Sequence, residues 1–166
     1  MARSSVSAEL PPLAAATRVV ALVSDYHSAV TQRMAASAQR SLVELGLAPD
    51  GWIEIAAPGA FELPLLAQRA ARRPEVDAVL CFGLVLKGET PHDVYIAHAL
   101  ADGLMRVGLE NDKPVLLGVL TTLDLQQAEH RAASRASGGL DKGHEVALAC
   151  VAALHALDAI DELSFQ

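Results

Sequence analysis

Short, continuously apolar runs alternate four times along the chain with stretches of helical spacing. Val19-Val20-Ala21-Leu22-Val23 is the first run, the pattern of a strand buried on both faces. From about Ser28, Val30, Met34, Ala38, Leu42 and Leu45 recur at helical spacing, and Gly46 marks the stop. Trp52 to Ala57 predicts a second strand, closed by Pro58-Gly59. Phe61 to Arg73 predicts a helix whose apolar stripe is Phe61, Leu65, Leu66 and Ala70. Ala78 to Leu86 predicts the third strand. His92 to Glu110 then predicts a long helix with Ile96, Leu100, Leu104 and Val107 facing inward, and Pro114 to Leu120 a fourth strand. Asp124 suits the N-cap of a short helix, with Gln127 as its capping-box partner. Lys142 to Leu157 predicts a final alanine-rich helix.

Strands that alternate with helices imply βαβ units, and hence a parallel sheet covered on both faces. The predicted class is α/β, a flavodoxin-like three-layer sandwich around a four-stranded parallel sheet. Ligands of such folds bind outside the carboxyl ends of the strands. The segments placed there are Asp25-Tyr26-His27, Pro58 to Glu62, Lys87 to His92 and Thr121-Thr122. They form one candidate site.

The 166 residues fit one domain, and the 52% apolar content both supplies a core and excludes a disordered chain. Thirteen basic against 20 acidic residues give a net charge of −7, with no basic run, which argues against a nucleic-acid or anionic-membrane binder. Cys81 and Cys150 lie in apolar stretches and read as buried thiols rather than a disulfide framework. No apolar run approaches the length of a membrane span. Residues 1–16, where Glu9 and Pro11-Pro12 interrupt any signal-like stretch, read as a flexible arm. The domain then covers 17–160, with a tail at 161–166, and the location expected is cytoplasmic.

Some spacings fail on their chemistry. Gly83 to Thr90 has the glycine spacing of a phosphate loop, but Glu89 stands where the loop needs a lysine. No Gly-x-Gly-x-x-Gly is present. His144 and His155 share a helix face but lie about three turns apart, too far for one metal ion. Other residues hold two meanings each. His92 follows Pro91 at a helix start, either capping backbone groups or moving protons near neutral pH. Gly88-Glu89-Thr90 is an ordinary turn or a small-anion cradle. Arg131, Arg135 and Lys142 form a cationic cluster on an acidic chain. It suits phosphate, or else a solvated face with Lys142 paired to Glu145. Glu62 either complements a helix dipole or accepts from a hydroxylated ligand, and Tyr26 either packs or stacks on a flat heterocycle.

Four segments in order then carry a resemblance. Pro58-Gly59-Ala60-Phe61-Glu62-Leu63-Pro64, Gly83 to His92, Gly118-Val119-Leu120-Thr121-Thr122 with Gln127-Ala128 and Arg131, and Asp141-Lys142-Gly143-His144-Glu145 resemble the motifs of the lumazine synthase family. The likeness runs from about Val19 to Leu157. It implies a transferase of riboflavin biosynthesis that joins 5-amino-6-ribitylaminouracil to 3,4-dihydroxy-2-butanone 4-phosphate. The products are 6,7-dimethyl-8-ribityllumazine, phosphate and water.

By the same resemblance His92 transfers protons, while Gly88, Glu89, Thr90 and Arg131 hold the butanone phosphate. Tyr26 lies over the pyrimidine ring, and Gly59, Ala60, Phe61 and Glu62 line the ribityl pocket. Lys142 and Glu145 line the site at the last helix. The family needs no metal or organic cofactor, and its partners beyond the small-molecule substrates are its own copies, a homopentamer with sites between adjacent subunits. Two residues depart from the pattern: His27 stands where Asn is usual, and Leu117 where many members carry Phe against the ligand. The stretch from Arg131 to Lys142 is also some three residues longer than in capsid-forming members. That favours an isolated pentamer over a 60-subunit shell. The alternative function is a flavin- or lumazine-binding receptor on the same fold.

Overall fold

The computed structural model of the protein describes residues 10–164. The first nine residues of the expected arm and the last two of the tail lie outside it. Strands β1 (Val19–Ser24), β2 (Trp52–Ala57), β3 (Ala78–Leu86) and β4 (Val115–Thr122) form one parallel sheet in the order β2-β1-β3-β4. Helices α1 (Ser28–Glu44), α2 (Leu63–Ala71), α3 (His92–Asn111), α4 (Leu125–Ala132) and α5 (Lys142–Asp161) cover it. The flavodoxin-like α/β sandwich expected from the alternation is the fold found.

All six residues of β1 are buried, because their side chains alternate between two cores. Val19, Ala21 and Val23 pack with α1, α4 and α5. Val20 and Leu22 pack with α2 and α3. Each fully buried Leu or Val contributes about 1.5–3 kcal/mol. The continuous apolar runs are therefore what holds both helix layers to the sheet. Cys81 and Cys150 are buried free thiols. Burial pushes both thiols upward, Cys150 to about 12, so neither is a thiolate near neutral pH.

One helix departs from the expectation. Ala60–Glu62 forms a 3-10 turn, and the α-helix begins only at Leu63. Its buried side chains are Leu63, Ala67, Ala70 and Ala71, whereas Phe61 is 61% and Leu65 69% exposed. The stripe of Phe61 and Leu65 points away from the core. Small alanines let α2 lie close to the sheet, and Pro64 meets α3 at Gly103, where a Cβ would come within 2.9 Å of the proline ring.

Residues 10–17 form neither helix nor strand, yet they are docked. The Leu13 amide donates to the Leu45 carbonyl at 2.8 Å, Leu13 is buried, and the Pro11 carbonyl lies 2.9 Å from His155 Nε2. Helix α5 continues four residues beyond the predicted end at Leu157, with Val146, Ala147, Cys150 and Val151 buried.

Candidate active site

The chain leaves β1 in one lateral direction and β3 in the other, so a crevice opens at the carboxyl ends of these two strands. Tyr26 and His27 stand at the end of β1. Tyr26 is 68% exposed, and its ring meets the His27 imidazole edge-on, with centroids 4.6 Å apart. His27 occupies the left-handed region at φ 62° and ψ 43° and leads into α1, its carbonyl accepting from the Val30 amide at 2.9 Å. Asn, Asp and His are the non-glycine residues that tolerate this backbone best. Thr31 Oγ1 donates to the Ser24 carbonyl at 2.7 Å, which ties the first turn of α1 to the strand end.

After β2, Gly59 is extended, and a Cβ there would come within 3.0 Å of the Glu62 carboxylate. The bend turns Phe61 and Glu62 to the surface and keeps Ala60 buried against Gly83.

After β3, the Lys87 amide donates to the Thr122 carbonyl at 2.9 Å, extending the β3–β4 ladder by one bond. The chain then turns through Gly88, Glu89 and Thr90 into α3. His92 is the first residue of that helix and is exposed, with Nδ1 2.9 Å from Thr90 Oγ1. Gly88 packs on the imidazole so closely that an added Cβ would lie 2.2 Å from its Cε1. The ring is thus held on two sides, by a hydroxyl and by a bare backbone. Nε2 makes no hydrogen bond among the described residues. An imidazole fixed in this way can take up or deliver a proton at Nε2.

The other helix layer holds the cations. Arg131 is in the last turn of α4, half-buried. The α4 cap has the expected Asp124 carboxylate, which accepts from the Gln127 amide at 2.8 Å, while Gln127 Oε1 accepts from the Leu123 amide rather than from the capping residue. Lys142 opens α5, its ammonium 3.4 Å from the Glu145 carboxylate. Leu117 stands on the edge strand β4 in phase with Val115 and Val119, which pack on the α2–α3 side, and is 46% exposed.

Residues that the sequence left without a role of their own fix the start of α5. Asp141 takes φ 53° and ψ 61° and is buried; its Oδ1 accepts from Ser37 Oγ at 2.6 Å and from the His144 amide at 3.2 Å. Ser41 Oγ lies 2.9 Å from His144 Nδ1. Gly143 lies flat on α1, where a Cβ would sit 2.1 Å from the Met34 carbonyl oxygen. The signal was an aspartate three residues ahead of an amide at a helix start. The α1 partners are 104 and 103 residues away in sequence and left no local trace.

Within one chain, then, Tyr26, Gly59 to Glu62, and Gly88 to His92 gather at the strand ends. Arg131 and Lys142 belong to the layer of α1, α4 and α5, across the sheet from α3. Among the described residues no three His, Cys, Asp or Glu side chains converge as a metal-ligand set.

Fold and site together define a flavodoxin-like α/β protein with an imidazole-bearing candidate small-molecule site outside its parallel sheet. Comparison with known proteins narrows that class. The sequence profile of 6,7-dimethyl-8-ribityllumazine synthase matches residues 16–158. The 6,7-dimethyl-8-ribityllumazine synthases of two strains of Thermus thermophilus are each 38% identical over 143 residues, 86% of this chain and 89% of theirs. The chain belongs to the 6,7-dimethyl-8-ribityllumazine synthase family.

Proposed function

We propose that the protein condenses 5-amino-6-ribitylaminouracil with 3,4-dihydroxy-2-butanone 4-phosphate, releasing 6,7-dimethyl-8-ribityllumazine, phosphate and water. The observation that carries this reading is the His92 imidazole, pinned by Thr90 and Gly88 at the crevice of the family's fold. Imine formation, phosphate departure and ring closure each move a proton, which His92 handles. Tyr26 lies over the uracil ring, with His27 beside it and Leu117 forming a softer wall than a phenyl ring. Gly59, Ala60, Phe61 and Glu62 receive the ribityl chain, Glu62 accepting from its hydroxyls. Gly88, Glu89 and Thr90 cradle the butanone phosphate together with Arg131, while Lys142 and Glu145 close the site. Placement and charge supply the rate enhancement.

Arg131 and Lys142 reach this site from a neighbouring copy, in a ring of five. Support comes from their place across the sheet from His92 and from an apolar surface on the opposite layer. Val94, Tyr95, Met105 and Leu109 are exposed and fall within roughly 100° of one face of α3, and Phe61 in the turn before α2 and Leu65 on α2 are exposed as well. The long α4–α5 connection favours the free ring over a shell of 60 copies. Sedimentation should therefore give five times the 17.4 kDa chain; a monomer or a shell-sized particle would refute the ring.

The direct test mixes purified protein with both substrates and follows lumazine by absorbance and fluorescence. Product should form. Tight binding of lumazine or riboflavin without turnover would overturn the assignment. Arg131→Ala removes a charge-assisted contact to phosphate, so KM for the butanone phosphate should rise ~10- to 100-fold while that for the uracil substrate stays within about threefold. Equal effects on both would remove Arg131 from the phosphate site. Gly88→Ala should displace the imidazole by about 1 Å and cut turnover ~100-fold, with an unfolding midpoint shifted by less than about 3 °C. Unchanged turnover would show that the packing of Gly88 on His92 has no part in the chemistry.

A further inference from the structure

A cavity of about 300 Å³ opens between α1 and the end of α4 with its connection to α5, apart from the residues proposed for the catalytic site. It is lined by Arg33, Ser37 and Arg40 of α1, by Ala132 at the end of α4, and by Ala133, Ser134 and Ser137 of the connection. Positions 33, 37 and 40 follow i, i+4, i+7 spacing and share one helix face. Neither arginine has a carboxylate within 4.0 Å among the described residues, and no carboxylate lines the cavity, on a chain with 20 acidic residues against 13 basic. The nearest acid in the network, Asp141, stands behind Ser37 and is occupied by the Ser37 hydroxyl and the His144 amide. Ser137 Oγ donates to the Ser134 carbonyl at 2.9 Å, so the Ser134 hydroxyl is free to donate to Ser137 Oγ, 3.1 Å away, or to a guest.

We propose that this cavity binds the phosphate group of a small phosphate ester. Two guanidinium groups facing one space repel each other unless an anion lies between them, and their planar forked donors match the oxygens of a phosphate bidentately. The Ser134 hydroxyl adds a neutral donor. The volume is at the lower end of the range for small-molecule pockets, so the site has room for a short carbon chain beyond the phosphate. The phosphate would lie one hydrogen bond from Asp141, the residue before Lys142.

The test uses the full chain with Arg131→Ala as background, which removes the phosphate site proposed for catalysis. Inorganic phosphate and glycerol 3-phosphate are titrated in separate calorimetric runs at fixed ionic strength. Both should bind once per chain, the ester more tightly; equal affinity would assign the site to inorganic phosphate itself. Adding Arg33→Gln and Arg40→Gln together should weaken binding by more than about tenfold, and each alone should weaken it in part. Adding Arg69→Gln and Arg72→Gln, exposed arginines on and just after α2, should change nothing. No saturable binding, or binding insensitive to Arg33 and Arg40, or equal loss in the α2 control, would overturn the proposal. None of these outcomes depends on whether lumazine is formed, so the two assignments fail separately.

Discussion

His92→Ala should lower turnover by ~100- to 10,000-fold, the range for removing a positioned acid–base group. Substrate affinity should change little, because the proposed binding contacts come from Tyr26, Glu62, Thr90 and Arg131 rather than from the imidazole. The side chain is exposed and its one hydrogen bond among the described residues is to Thr90, so the substitution costs the fold little. Steady-state kinetics beside equilibrium binding of the product separate the two quantities. A fall in affinity that matches the fall in rate would make His92 a binding residue. A rate unchanged from the parent would leave the substrates themselves to move every proton.

A large loss of stability is expected at Gly143→Ala. The added methyl meets the Met34 carbonyl oxygen at 2.1 Å and the Ser37 Cβ at 2.9 Å, neither of which is a flexible side-chain tip. Helix α5 must lift from α1, which loosens the Ser37–Asp141 and Ser41–His144 pairs together. Overpacking and the loss of a buried hydrogen bond combine to about 3 kcal/mol, or roughly 10 °C in a thermal midpoint for a domain of this size. Gly138→Ala is the contrast: its Cβ meets nothing within 4 Å, and only the φ of 82° opposes it, at about 1–2 kcal/mol. Thermal scans of the two variants side by side measure the difference. Equal midpoints would mean that α5 adjusts to the methyl without parting from α1.

The central strands β1 and β3 were legible because they serve two cores at once, which leaves a run such as Val19 to Val23 with no polar position. The N-cap of α4 was legible for the same local reason, an aspartate at the right distance from the amide it accepts. The start of α2 was not. Phe61 and Leu65 obey helical spacing with the other apolar residues, yet they face outward, since a periodic pattern cannot say whether a stripe faces its own core or another surface. The site was partly legible. His92 and Gly88 are neighbours in sequence, so their contact follows from the turn between them. The tie of Asp141 to Ser37 depends on how two helices far apart in the chain come to lie side by side, and single-residue patterns carry no trace of that.

His92 and Arg131 lie on opposite helix layers of one sheet, and that placement has a meaning for inheritance. If each site borrows its cations from the next chain, a defect at His92 and a defect at Arg131 spoil different borders of the same subunit. A cell that makes both defective chains together would assemble some borders with a sound imidazole facing a sound guanidinium. Two alleles, each without function alone, would then restore part of it to one another.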